Sequence, residues 1–140
     1  MCSENLILNE TFNLALKNHQ NNNLQDAQNY YNKVLELDPN HLQTLINLAV
    51  IFLGLGQRQK AKSCYEKVIE IDHNYADAHN NLGNILKELG EIEKAKDCYE
   101  KAISINPNYV HAHYNLGTIF QELGQRQKAK SCYEKVIEID

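Results

Sequence analysis

The sequence predicts an all-α chain, an α-solenoid of four stacked helix-turn-helix units, and three observations carry that expectation. Apolar and small residues recur at helical spacing in short blocks, never in the strict alternation of a strand. Glycine or asparagine punctuates the middle of each unit and proline or aspartate its end, where a helix has to stop. The pattern then returns with a period of 34 residues.

The stretch Asn81–Tyr109 shows the unit most plainly. Leu82, Gly83 and Leu86 share one helix face, and Ala95, Tyr99, Ala102 and Ile105 share the next. Gly90 lies between them, where a left-handed residue ends the first helix, and Pro107 closes the second. The Asn-Leu-small opening recurs at Asn13, Asn47, Asn81 and Asn115, the small residue of the second helix at Ala27, Ala61, Ala95 and Ala129, and the aromatic at Tyr31, Tyr65, Tyr99 and Tyr133. Helix pairs are expected at about 8–20 and 24–37, 42–54 and 58–71, 76–88 and 92–105, and 110–122 and 126–139. Asn21-Asn22-Asn23 makes the first internal turn. Small residues are expected to let paired helices approach, Ala49 against Ala61, Gly83 against Ala95 and Gly117 against Ala129.

These recurring residues resemble the tetratricopeptide repeat family. The resemblance covers residues 8–140 as four repeats, 8–41, 42–75, 76–109 and 110–140, after an N-terminal extension of residues 1–7, whose end with Leu6, Ile7 and Leu8 is expected either to extend the first helix backward or to fold over the exposed end of the stack. It implies stacked hairpins in a right-handed superhelix with a concave inner wall. His79 and His113 depart from the residues the family favours, and His73 stands where a closing proline is usual. Leu55–Asp72 reappears letter for letter as Leu123–Asp140, a mark of duplication that packing alone does not demand. The solvating helix that ends family arrays is missing, so a longer parent solenoid is expected. The last pair is then expected to expose Ile119, Leu123, Val136 and Ile139 for end-to-end self-association.

Bulk composition narrows the partners. A net charge of -4 and a pI near 5.8 argue against a nucleic-acid binder, which needs a basic stripe. The N-terminus lacks the basic and apolar runs of a secretory leader, and no apolar run spans a bilayer, so a cytoplasmic protein is expected. Cys64, Cys98 and Cys132 occupy equivalent positions a helix pair apart, with no C-x-x-C spacing. They read as packing residues, and neither metal nor cofactor is called for.

The binding residues come from the first helix of each pair. In the third repeat His79, Leu82, Gly83 and Leu86 should face the packing, leaving Asp77, Asn80, Asn81, Asn84, Lys87 and Glu88 on the other face. Asparagine costs a helix about 0.5–0.7 kcal/mol against alanine, yet it recurs in register at Asn13, Asn47, Asn81 and Asn115. A carboxamide offers both a donor and an acceptor, so a row of them can hold a peptide backbone whatever its sequence. The resemblance adds that the tetratricopeptide arm of O-linked N-acetylglucosamine transferase is lined by such an asparagine ladder. Around the row stand Asn80, Asn84 and Tyr114, and in the first two repeats an apolar floor that includes Phe12, Ile46 and Val50. A partner is expected to lay an apolar anchor on the first half and its backbone over the second. The family's carboxylate clamp is rejected, because Lys17 and Lys87 are the only lysines on first helices and arginine is absent there.

Nothing points to an enzyme: the sequence has no H-E-x-x-H, phosphate-cradling loop or nucleophile elbow. The reading is a protein-interaction scaffold that binds an extended peptide. The alternatives are a substrate-recruiting arm of a larger glycosyltransferase and a self-stacking spacer.

Overall fold

The computed structural model describes residues 2–139; Met1 of the extension and Asp140 of the fourth repeat lie outside the described residues. Among the described residues there are eight α-helices and no strand: α1 Cys2–Gln20, α2 Leu24–Leu37, α3 Leu42–Gly54, α4 Arg58–Ile71, α5 Ala76–Glu88, α6 Ile92–Ile105, α7 Val110–Glu122 and α8 Arg126–Ile139. The fold class is all-α, of the α-solenoid kind. The chain divides into two compact units, Met1–Ile71 and Asp72–Asp140. Seven helices fall where the sequence period places them. The first is longer: α1 starts at Cys2 rather than near residue 8, because no glycine or proline interrupts it and Glu4 suits the positive end of its dipole.

In the first unit α1 packs on α2, α3 on α4, and α2 on α3. Ala15, Ala27, Tyr31, Leu48 and Ile51 form the buried cluster, with Phe12, Phe52 and Cys64 against it. Asn22 ends α1 with φ 59°, and Asn23 N–H reaches back to Asn18 O at 2.8 Å. The same closure ends α3 and α5 around Gly56 and Gly90, where the Gln57 and Glu91 amides bond to Phe52 O and Leu86 O at 2.8 Å each. This is the left-handed helix stop that the turn residues announce.

The second unit pairs α5 with α6 and α7 with α8, and packs α6 against α7 and α5 against α7. Its two unusual histidines explain themselves. His79 and His113 are buried, and their Nε2 atoms lie 3.0 Å from His73 O and 2.7 Å from Pro107 O. Each ring thus ties a first helix to the turn before it. Those turns close on a side chain at their first position: Asn40, Asn74 and Asn108 donate backbone N–H to Asp38, Asp72 and Asn106 at 3.0, 3.0 and 3.1 Å. An Asx turn of this kind does not need the following proline, which is why His73 serves.

Two expectations change. The small residues of α5 and α7 face tyrosine rings rather than the alanines alone: a Cβ built on Gly83 would lie 2.6 Å from Tyr99 Cε1, and one on Gly117 2.7 Å from Tyr133 Cε1. Ile119 is not exposed. It shares the packed stripe of α7 with Ala112, Leu116 and Phe120, while Leu123 is exposed and Val136 and Ile139 are half-buried. The most open large apolar side chain of α8 is Ile137, 76% exposed.

Candidate functional site

The four asparagines in register are not equivalent. Asn13 on α1 is exposed, and Asn47, Asn81 and Asn115 are half-buried. Asn47 on α3 donates Nδ2–H to the Tyr31 hydroxyl at 3.1 Å and accepts from Gln43 Nε2 at 3.1 Å. The Tyr31 hydroxyl also lies 3.1 Å from His19 Nδ1. Of the apolar positions of the first unit, Val50 is 49% exposed and Ile46 half-buried. Phe12 is half-buried because its ring packs on His41 at 4.8 Å and Tyr31 at 6.2 Å. His41 has a further task, as the N-cap of α3, accepting from Thr44 N–H at 3.3 Å.

The second unit brings Asn80, Asn84 and Asn115 together. Asn115 Nδ2 on α7 donates to Asn80 Oδ1 at 3.0 Å and Asn84 Oδ1 at 3.1 Å, both on α5. The Tyr99 hydroxyl, rising from α6, donates to Asn84 Oδ1 at 2.7 Å. Asn80 is only 4% exposed, so it supports the cluster from beneath instead of standing on the open face as its position in the stripe suggested. Asn84, Lys87, Glu88, Tyr99 and Asn115 line a groove of about 490 Å³. At one end Lys87 Nζ bonds to Thr118 Oγ1 at 3.1 Å and pairs with Glu122 at 3.0 Å. Tyr114 is exposed, its ring 5.9 Å from that of Tyr133.

Burial pushes the Tyr99 hydroxyl well above the usual phenol range, and Cys98, Glu122 and Glu88 add to the effect. It keeps its proton at neutral pH. Sequence reasoning took Tyr99 as a packing residue and missed this role. The available signal was tyrosine in place of phenylalanine at all four equivalent positions, since a packed phenol needs a partner for its hydroxyl. The arrangement can pair with neutral polar groups such as peptide amides. No His/Cys/Asp/Glu group among the described residues could hold a metal ion, and no described helix is long and apolar enough to cross a membrane.

Tetratricopeptide repeat models match residues 19–85, 76–109 and 110–140. A solved MamA structure is 31% identical with a TM-score of 0.84, covering 91% of this chain and 74% of that chain. MamA from Desulfovibrio magneticus RS-1, at 23% identity and a TM-score of 0.83 over 94% of this chain and 75% of that one, shows the fold alone. PilF of Pseudomonas aeruginosa is 25% identical with a TM-score of 0.80, covering 99% of this chain and 63% of that chain. A comparison with curated proteins finds no match. With its period, its helix pairs and these matches in agreement, the chain belongs to the tetratricopeptide repeat family.

Proposed function

We propose that this chain is a protein-interaction scaffold that holds an extended peptide against the first helices of its repeats. The observation that carries the reading is the joined carboxamide cluster of Asn80, Asn84 and Asn115 beside an open polar groove. Such groups recognise main chain rather than side chain. In the first unit the face of α3 with the half-buried Ile46 and the exposed Val50 and Leu53 suits an apolar side chain of the partner. The test is a pull-down from lysate with the chain and with Asn115→Ala and Ile46→Asp. Both variants are expected to lose the same bound proteins while keeping their helical circular dichroism. Undiminished recovery by both would overturn the reading.

A second reading, self-association, is favoured by the groove along α8 in which Ala129, Tyr133 and the exposed Ile137 stand among the polar Gln121, Arg126, Lys130 and Glu134. Sedimentation velocity over a concentration series is expected to show association that Ile137→Asp abolishes; a monomer at every concentration excludes it.

A further inference from the structure

Helix α8 carries its charges in order. Its first half holds Arg126, Lys128 and Lys130, and its second half holds Glu134 and Glu138 with Lys135 between them. Along one side Arg126, Ala129, Lys130, Tyr133, Glu134 and Ile137 line a groove of about 720 Å³, at the three- and four-residue spacing of a single helix face. Ala129 is buried at its floor, where a methyl group leaves space for a larger side chain above it. Further along the same face stands Ile137, large and exposed. Lys130 and Glu134 reach each other at 3.8 Å while both stay exposed, so further charges can join them.

Turned end for end, this face complements itself. An antiparallel second copy of α8 centred on Tyr133 sets Ile137 over Ala129 of the second copy and Lys130 beside Glu134 of the second copy, and symmetry repeats both contacts. The basic half of each helix then lies along the acidic half of the other, and the two helix dipoles oppose. Helix α1 of a second copy fits less well. Thr44, Leu48 and Ile51 on α3, and Ala112, Leu116 and Ile119 on α7, form buried stripes without charge. The equivalent residues of α1 are Glu10, Leu14 and Lys17, all exposed. Stacked on α8 as α7 follows α6, α1 would bring Lys17 to Arg126 and Lys130, and Glu10 to Glu134, like charge against like.

We infer that α8 pairs antiparallel with α8 of a second copy across a two-fold axis at Tyr133, so that the assembly closes at two chains. The inference rests on the self-association reading above and gives it a symmetry and a partner surface. A contact that uses the same face on both chains leaves no face to continue from, whereas α8 on α1 would grow an open series.

The experiment is sedimentation equilibrium on the whole chain and on two charge-reversal variants. The unaltered chain is expected to follow a monomer–dimer scheme. Because one helix on another is a small interface, the dimer is expected to be weak, and salt should weaken it further. Lys130→Glu and Glu134→Lys alter exposed side chains and should keep the helical circular dichroism of the parent. Alone, each variant gathers like charges at the axis and is expected to dimerise roughly tenfold more weakly or worse. Mixed in equal amounts, the two restore opposite charges across the axis. They are expected to pair with each other to within about threefold of the parent constant. No gain on mixing, or growth beyond the dimer, overturns the two-fold pairing while leaving self-association through another contact standing. A monomer at every concentration overturns both.

Discussion

Gly83 is where a single atom decides the most. A methyl there would overlap the Tyr99 ring, which is buried and has no free end to swing aside. Gly83→Ala is expected to cost about 1–3 kcal/mol as an overpacking change and to break the Tyr99–Asn84 hydrogen bond. Denaturant unfolding and the Asn84 amide signal check the two effects. The first two repeats carry Ala15 and Ala49 at the equivalent place, and the Tyr31 hydroxyl there meets His19 and Asn47 instead. Burial raises the Cys64 thiol from 9.0 to about 11, and raises the Tyr31 and Tyr99 phenols above 10.0. A folded state with raised values holds its protons longer than the unfolded chain, so stability is fully present below the unfolded values and falls as pH climbs through the folded ones. Unfolding free energy should be level up to about pH 9.0 and decline from there towards about 11, and Cys64→Ala should reduce the early part of the decline.

At the scale of the helix and its turns, period and punctuation carried nearly all the information. Asparagine or glycine marked every internal turn, and the positive φ values at Asn22, Gly56, Gly90 and Gly124 are the physical reason. The start of α1 was legible only as one of two alternatives, a backward extension or a fold over the end, because the 34-residue period has no earlier copy to compare with; nothing breaks the helix before residue 8, and it extends. The Asx turns give a prediction of their own. His73→Pro puts the residue of the two sister turns, Pro39 and Pro107, into a position whose amide has no hydrogen-bond partner among the described residues. It should stabilise the chain by about 0.4–1 kcal/mol through the unfolded state, read as a higher denaturant midpoint with an unchanged slope. His79→Ala should act the other way, costing about 1–3 kcal/mol by leaving His73 O unpaired in a partly buried place.

For the molecule as a whole, stability comes from apolar packing rather than charge. The ion pairs run along helix surfaces, as Lys62–Glu66, Lys67–Glu70 and Lys130–Glu134 do, or join two helices, as the half-buried Lys87 of α5 and the exposed Glu122 of α7 do. Exposed pairs are each worth about 0–1 kcal/mol, so moving from low to high salt should shift the unfolding midpoint only slightly. Leu86→Ala, by contrast, should cost about 2–5 kcal/mol, since Leu86 is buried. The fold was legible because repetition averages out local ambiguity: four copies of one pattern agree. The site was legible only in part. Helical spacing assigns Asn80, Asn84 and Asn115 to helices, but not the reach of a tyrosine from the helix between, which depends on how closely Gly83 lets it approach.

That close approach has a kinetic consequence. The axis through a phenol ring passes through its oxygen, so Tyr99 can make a half-turn about that axis without releasing Asn84. What crowds it is its seat beside Gly83, where there is no room for even a methyl group. Slow flipping, seen as separate resonances for the two sides of the ring, would report how often the seam between α5 and α6 breathes.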